Sequence, residues 1–170
     1  MTAEAWRAEL EAAKARYAPV GVSSVDEMKR VSGLDFLRGI LEGRVPPPPM
    51  AHTLDFHLVE VAEGRAVWQG EPGHAFYNPI GSVHGGWAAT LLDSCMGCAV
   101  QSTLPQGQGY ITVDIKVNLI RPLSHATGPV RAIGTIVNAG RTIAIAEGKL
   151  VGPEGRLYAH GTSTCMVFPL

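Results

Sequence analysis

Apolar residues follow a helical period most regularly between residues 85 and 101. From Ala88 onward they recur three and four positions apart, in the pattern i, i+3, i+4, i+7, i+8, which brings them onto one side of an α-helix. The positions are Ala88, Leu91, Leu92, Cys95, Met96, Ala99 and Val100. We therefore predict a long helix with one buried stripe, beginning at the Gly85-Gly86 pair.

The period of a β-strand governs residues 111–119, where apolar and polar residues alternate without a break. This alternation predicts a half-buried strand. Five further strands are predicted at residues 53–61, 65–69, 130–137, 142–151 and 157–168. One face of the fourth of these carries mostly small residues, which leave room for a helix: Thr142, Ala144, Ala146, Gly148 and Leu150. The order of elements predicts an α+β fold, in which a curved antiparallel sheet of about six strands wraps around the long helix.

The first 49 residues have a different character. Residues 3–17 alternate apolar and charged side chains at helical spacing, and a short helix is predicted from Gly33 to Glu42 with Ser32 as its N-cap. The run Pro46 to Pro49 then ends the helical pattern, since proline has a fixed φ and no N–H donor. We interpret residues 1–49 as a helical extension with a rigid proline-rich strut, and residues 50–170 as the main domain.

Composition excludes several functional classes. A net charge of −1 over 170 residues gives no basic face for nucleic acid and no electrostatic attraction to an anionic membrane. The first ten residues are too charged for a signal peptide, and no run approaches the length of a membrane span. These features predict a cytoplasmic protein that binds neither nucleic acid nor membrane.

The three cysteines are Cys95, Cys98 and Cys165. A Cys-x-x-Cys pair can indicate redox or zinc chemistry, but no second pair or nearby histidine completes a zinc site. We interpret these cysteines as small buried hydrophobic residues, and the sequence predicts no metal and no cofactor.

The start of the long helix has the layout of an anion or carbonyl site. The first backbone N–H groups of a helix have no partner within it, and the glycines at 85 and 86 allow a ligand oxygen to approach them. One carboxylate, Asp93, lies beside the buried stripe. Its own row on the helix is small, so another segment could pack closely and shelter the charge; the row is Gly86, Ala89, Thr90, Asp93 and Gly97.

An ordered set of motifs extends from this helix to residue 141. It comprises Asn78, Gly81, His84-Gly85-Gly86, Asp93, Gly97, Thr112, Asp114, Arg121-Pro122 and Gly140-Arg141. In these residues the chain resembles the hotdog-fold acyl-CoA thioesterases, in the branch related to phenylacetate-degradation and 4-hydroxybenzoyl-CoA thioesterases. The resemblance covers roughly residues 50–168 and implies a hotdog fold and hydrolysis of acyl-CoA to free acid and CoA.

The resemblance also implies roles for individual residues. The side chain of Asn78 and the amide of Gly85 would polarise the thioester carbonyl, and Thr112 would orient a water molecule. Asp93 would act as nucleophile or as general base. Some branches have Glu at this position, so covalent and water attack both remain open. His84 either contacts substrate or holds the loop. The substrate-binding residues implied are Gly86, Arg121 and Arg141, with the arginines near the CoA phosphates.

Geometry and the resemblance together predict a dimer. Gly85 and Asp93 are eight positions apart, roughly 12 Å along a helix at 1.5 Å per residue, so one helix cannot bring both to one thioester carbon. In hotdog thioesterases the two helices of a dimer run antiparallel, which implies that one subunit supplies Asn78 and Gly85 and the other Asp93 and Thr112. A homodimer, or a homotetramer of two dimers, is expected.

Two other functions use the same fold. A non-catalytic acyl-CoA sensor is one alternative, but such a regulator should carry a basic DNA-binding appendage, whereas acidic and basic residues are nearly balanced in residues 1–45. A hydratase or dehydratase of acyl thioesters is the other. Those enzymes resemble a different arrangement of a catalytic His with an acidic residue, and His84 directly before the glycines fits the thioesterase pattern better.

Overall fold

A computed structural model describes all 170 residues. Five α-helices and six β-strands make up the chain. The helices are α1 (Ala3–Lys14), α2 (Val25–Met28), α3 (Gly33–Leu41), α4 (Pro49–Thr53) and α5 (Gly85–Gln101). The strands are β1 (Phe56–Ala62), β2 (Arg65–Gly70), β3 (Gln108–Leu119), β4 (Val130–Ala139), β5 (Ile143–Val151) and β6 (Leu157–Pro169).

The six strands form one antiparallel sheet in the order β1-β2-β4-β5-β6-β3. β1 and β3 are its two edges, and the sheet curves around α5. The predicted fold, a long central helix wrapped by an antiparallel sheet with helices at the N-terminus, is confirmed. No helix of the chain combines the length and the apolar character needed to cross a membrane.

The buried stripe of α5 is also confirmed, because all seven of its predicted residues are buried. Two glycines of the sheet allow this close packing. A Cβ at Gly134 of β4 would lie 2.1 Å from the carbonyl oxygen of Cys95, and a Cβ at Gly148 of β5 would lie 2.9 Å from Met96. As predicted, the small face of β5 lies against the helix, with Ala144 and Ala146 buried.

The N-terminal helices pack on both sides of the sheet. On the outer face, α1 buries Trp6, whose ring lies 4.4 Å below the guanidinium of Arg131. On the inner side, Leu37 and Ile40 of α3 belong to the same core cluster as α5. The start of α3 adjoins the end of α5, where the N–H of Gly33 donates to the carbonyl of Leu104 at 3.0 Å. The division of the chain at residue 49 stays a prediction.

The proline run differs from its predicted form. Pro49 is the first residue of α4 rather than the end of an extended strut, which suits proline because the N–H at this position has no partner in any helix. As a result β1 begins at Phe56, three residues later than the strand predicted from Thr53.

Strand β3 is more exposed than its alternating sequence predicts. Ile111, Val113, Ile115 and Leu119 expose between 38% and 58% of their surface, because β3 is an edge strand with only β6 beside it. Its period is also broken by a bulge: Thr112 pairs with Cys165 and Asp114 with Thr164, so Val113 has no partner.

Candidate active site

The loop before α5 is ordered by the side chain of Asn78. Its Oδ1 accepts hydrogen bonds from the backbone N–H groups of Ile80 and Ser82, each at 3.1 Å. Its Nδ2 donates to the Ser82 hydroxyl at 3.0 Å. An amide nitrogen carries two hydrogens, so one N–H of Asn78 is left for a ligand. Gly81, with φ of +85°, occupies the position in this turn that favours glycine.

His84 caps the N-terminus of α5. Its Nδ1 accepts the N–H of Gly86 at 3.0 Å, and its backbone N–H donates to the carbonyl of Phe76 at 2.7 Å. The N–H of Gly85 has no hydrogen-bond partner within the chain. The ring of His84 therefore holds the loop and occupies the N–H of Gly86, whereas the N–H of Gly85 stays free, as expected for the first residue of a helix. The roles of both glycines stay predictions.

The second group of polar residues lies further along α5. Asp93 is half-buried, and the hydroxyl of Thr112 on β3 donates to its Oδ1 at 3.1 Å. The bulge after Thr112 explains this contact. Thr112 faces inward opposite the buried Cys165, and beyond the bulge Ile115 also faces inward opposite Ser163. Without the bulge, these two residues would lie on opposite faces of the strand.

The predicted site residues thus form two groups within one chain. Asn78, His84, Gly85 and Arg121 line a surface cavity of about 280 Å³ together with the end of β3. Asp93 does not line that cavity, because it lies two helical turns away, roughly 12 Å along the axis.

The two predicted phosphate-binding arginines lie in different settings. Arg121 lines the cavity at the start of α5, and its Nη1 donates to the carbonyl of Leu157 at 2.5 Å. Arg141 is exposed in the turn between β4 and β5 and makes no ion pair within the chain. No cluster of three or more His, Cys, Asp or Glu side chains is placed to hold a metal ion.

Two further residues lie near Asp93: Tyr110, which sequence reasoning did not single out, and Cys98, which it interpreted as a buried hydrophobic residue. Tyr110 is two positions before Thr112 on β3, and its phenol packs against Gly97 of α5. Burial raises the pKa of this phenol well above its usual value, and burial likewise raises the pKa of the Cys98 thiol to about 12. Both side chains are therefore neutral at physiological pH. Tyr110 and Thr112 are two positions apart on a strand and so share one face, and this spacing could have identified Tyr110 from the sequence.

The sequence is similar to known esterases and thioesterases. The family model of the thioesterase superfamily matches residues 80–159. A protein named as an esterase in Halobacterium salinarum is 38% identical over 88 residues, which span 51% of this chain and 56% of the relative. Human acyl-coenzyme A thioesterase 13 is 28% identical over 108 residues, 63% of this chain and 76% of the human protein.

The fold is also similar to that of a solved structure. The crystal structure of a phenylacetic acid degradation-related protein from Ralstonia eutropha superimposes with a TM-score of 0.70 and 29% identity, covering 77% of this chain and 98% of the other. The fold is the hotdog fold, and the chain is similar to hotdog-fold thioesterases. The predicted resemblance to hotdog-fold thioesterases is confirmed. The matched region spans little more than half of the Halobacterium relative.

Proposed function

We propose that this protein hydrolyses acyl-CoA thioesters to the free acid and CoA. The observation that carries the proposal is the hydrogen bond from Thr112 to Asp93, in which a half-buried carboxylate is held in a fixed orientation. The bond occupies Oδ1 and leaves Oδ2 for a proton or a carbonyl carbon. A positioned base or nucleophile and a separate set of carbonyl-binding donors are the two requirements of thioester hydrolysis.

The donors are the N–H of Gly85, the second N–H of Asn78 and the positive end of α5. Each would stabilise the negative charge that develops on the thioester oxygen. In water attack, Asp93 takes a proton from water while the oxygen adds to the carbonyl carbon. The C–S bond then breaks and the proton passes to the CoA thiolate. In covalent attack, Asp93 itself adds to the carbon, the C–S bond breaks and CoA leaves as a thiolate. Water then adds to the resulting mixed anhydride, which releases the free acid and regenerates the Asp93 carboxylate, and a proton from that water passes to the thiolate.

The proposal includes a site shared between two subunits. The hydrogen-bond donors and the carboxylate must both lie within about 3 Å of the reacting atoms of one thioester carbonyl. The separation between Gly85 and Asp93 along α5 does not allow this within one chain. The exposed apolar side chains of β3 support a dimer, since an exposed, apolar edge strand of twelve residues is a site for pairing. A homodimer, or a homotetramer of two dimers, would bury this edge.

A cytoplasmic location fits the chemistry of the side chains. The three cysteines are free thiols, and proteins that keep buried unpaired cysteines are typical of reducing compartments. Acyl-CoA would be the small-molecule partner.

The test is thiol release from a panel of acyl-CoA substrates by the natural chain and by Asp93→Asn. This substitution preserves shape and removes the charge, so kcat should fall at least about a hundredfold. Asp26→Asn is the matched control, because Asp26 is exposed on α2 and belongs neither to the site nor to strand β3; it should retain the natural rate. Retention of activity by Asp93→Asn would reject the assignment. Tight binding of acyl-CoA without any turnover would instead favour a sensor.

A further inference from the structure

A second cavity lies between the N-terminal extension and the main domain. Its volume is about 280 Å³, and its walls are mainly apolar. The extension contributes Phe36, Leu37 and Ile40 of α3, and the main domain contributes Trp68, Cys98 and Tyr110. Without residues 21–49 the cavity would lose one whole wall.

Asp93 and Thr112 do not line this cavity, but two of its lining residues lie close to them on the same elements. Cys98 follows Asp93 by five positions on α5, and Tyr110 precedes Thr112 by two positions on β3. The Tyr110 phenol lies against Gly97, about 6 Å along the helix axis from Asp93. Helix α5 and strand β3, which carry Asp93 and Thr112, therefore also form the inner wall of the cavity.

Trp68 and Cys98 form one part of this wall. Trp68 is 3% exposed, and its indole N–H is buried without a hydrogen-bond partner. Burial raises the pKa of the Cys98 thiol to about 12, against a smaller lowering by the Trp68 indole. The thiol is therefore neutral, and this part of the wall carries no charge.

We propose that this cavity receives the acyl group of the substrate and that the N-terminal extension closes its far end. The proposal rests on the proposed thioesterase function. The volume corresponds to about nine water molecules at roughly 30 Å³ each, so the acyl group is compact and mainly apolar, with about nine heavy atoms. Length selection then resides in the extension rather than in the residues that carry out hydrolysis.

Filling the cavity from the extension tests this assignment. Ser23 lines the cavity and is half-buried, so Ser23→Trp places an indole in the space for the acyl group. Val25→Trp is the matched control, since Val25 lies two residues away, is 52% exposed and does not line the cavity. Two quantities are to be measured for each variant: kcat/KM for a series of straight-chain acyl-CoA substrates, and the affinity for non-hydrolysable S-alkyl-CoA thioethers of the same lengths.

For the natural chain, affinity should rise about fourfold per methylene until the cavity is full and then level off. Ser23→Trp should reach this limit two or more carbons earlier, with affinity for an octyl thioether reduced at least about tenfold and acetyl-CoA turnover unchanged. Val25→Trp should match the natural chain. An unchanged length profile in a folded Ser23→Trp variant would overturn the acyl cavity and leave the proposed function intact.

The thioethers separate the two proposals. If no acyl-CoA is hydrolysed but thioether affinity still depends on length and on Ser23, the proposed function fails and the acyl cavity stands. If the thioethers bind with no dependence on length, or do not bind, the acyl cavity is wrong whatever the hydrolysis result.

Discussion

Asp93 illustrates how much a single side chain depends on its neighbours. Its position in the sequence predicts a carboxylate in a row of small residues, and the structure adds the hydroxyl of Thr112 as a hydrogen-bond donor 3.1 Å away. The small row is occupied where Tyr110 packs against Gly97. These contacts restrict the rotation of the carboxylate and leave one oxygen free, which is the arrangement that a positioned base or nucleophile requires.

Removing the Thr112 hydroxyl should lower the rate without removing the chemistry. Thr112→Val keeps the shape of the side chain and loses its hydrogen bond to Asp93, which is worth about 1.5 kcal/mol when the acceptor is charged. We expect kcat for acyl-CoA hydrolysis to fall about tenfold. Thr112→Ser, which restores the donor, should recover most of the rate. An unchanged rate in Thr112→Val would show that the hydroxyl does not contribute.

A separate prediction concerns the binding of the CoA phosphates by two arginines. Arg121 lines the cavity at the start of α5, and Arg141 is exposed without an ion pair, so each could bind phosphate. Arg141→Ala and Arg121→Ala should raise KM for CoA thioesters about three- to tenfold and leave KM for a short thioester without the nucleotide nearly unchanged. If KM rises equally for both substrates, the arginines do not contact phosphate.

The sequence predicted which residues belong to the candidate site better than it predicted the direction of their side chains. The resemblance implies that Asp93 and Thr112 belong to the same half of the site, with Thr112 orienting a water molecule; the structure adds a direct hydrogen bond between them. The strict alternation of residues 111–119, however, would place Thr112 and Ile115 on opposite faces. A bulge at Val113 turns both inward, and a bulge depends on pairing with β6, which period alone does not reveal.

At the scale of elements, the packing of α5 on the sheet was predictable because it rests on local periods. The buried stripe of the helix and the small face of β5 are each visible in the sequence and meet in the structure. The short helix α4 was not predictable from a run of prolines, since extended and helical backbone share the φ of proline. The packing of α1 and α3 depends on contacts distant in sequence.

The approach of α5 to β4 gives a stability prediction. A Cβ at Gly134 would lie 2.1 Å from the carbonyl oxygen of Cys95, and backbone cannot yield as a flexible side chain can. Gly134→Ala should lower the free energy of unfolding by about 2 kcal/mol or more, measured as a shift of the denaturant midpoint. Gly73→Ala is the control, because a Cβ there meets nothing within 4 Å and its φ is −124°. A similar stability of the two variants would contradict the packing.

At the scale of the whole molecule, two groups of polar residues are separated along α5. Asn78, His84 and Gly85 lie at its start, and Asp93 with Thr112 lies about two turns further along. The edge strand β3, with exposed Ile115 and Leu119, lies beside both groups. In the proposed dimer, a second copy paired along β3 would bring the first group of one chain next to the second group of the other. Neither the periodicity of the sequence nor the structure of a single chain can show this arrangement.

Complementation between two inactive chains tests the shared site most directly. Asn78→Asp keeps the acceptor for Ile80 and Ser82 and removes the carbonyl-binding donor, whereas Asp93→Asn removes the base or nucleophile. Each variant alone should be inactive. Unfolded and refolded together in equal amounts, they should recover about a quarter of the natural activity, because half of the dimers are mixed and each has one intact site. If native mass spectrometry detects the mixed dimers and the mixture remains as inactive as its parents, the shared-site account is contradicted.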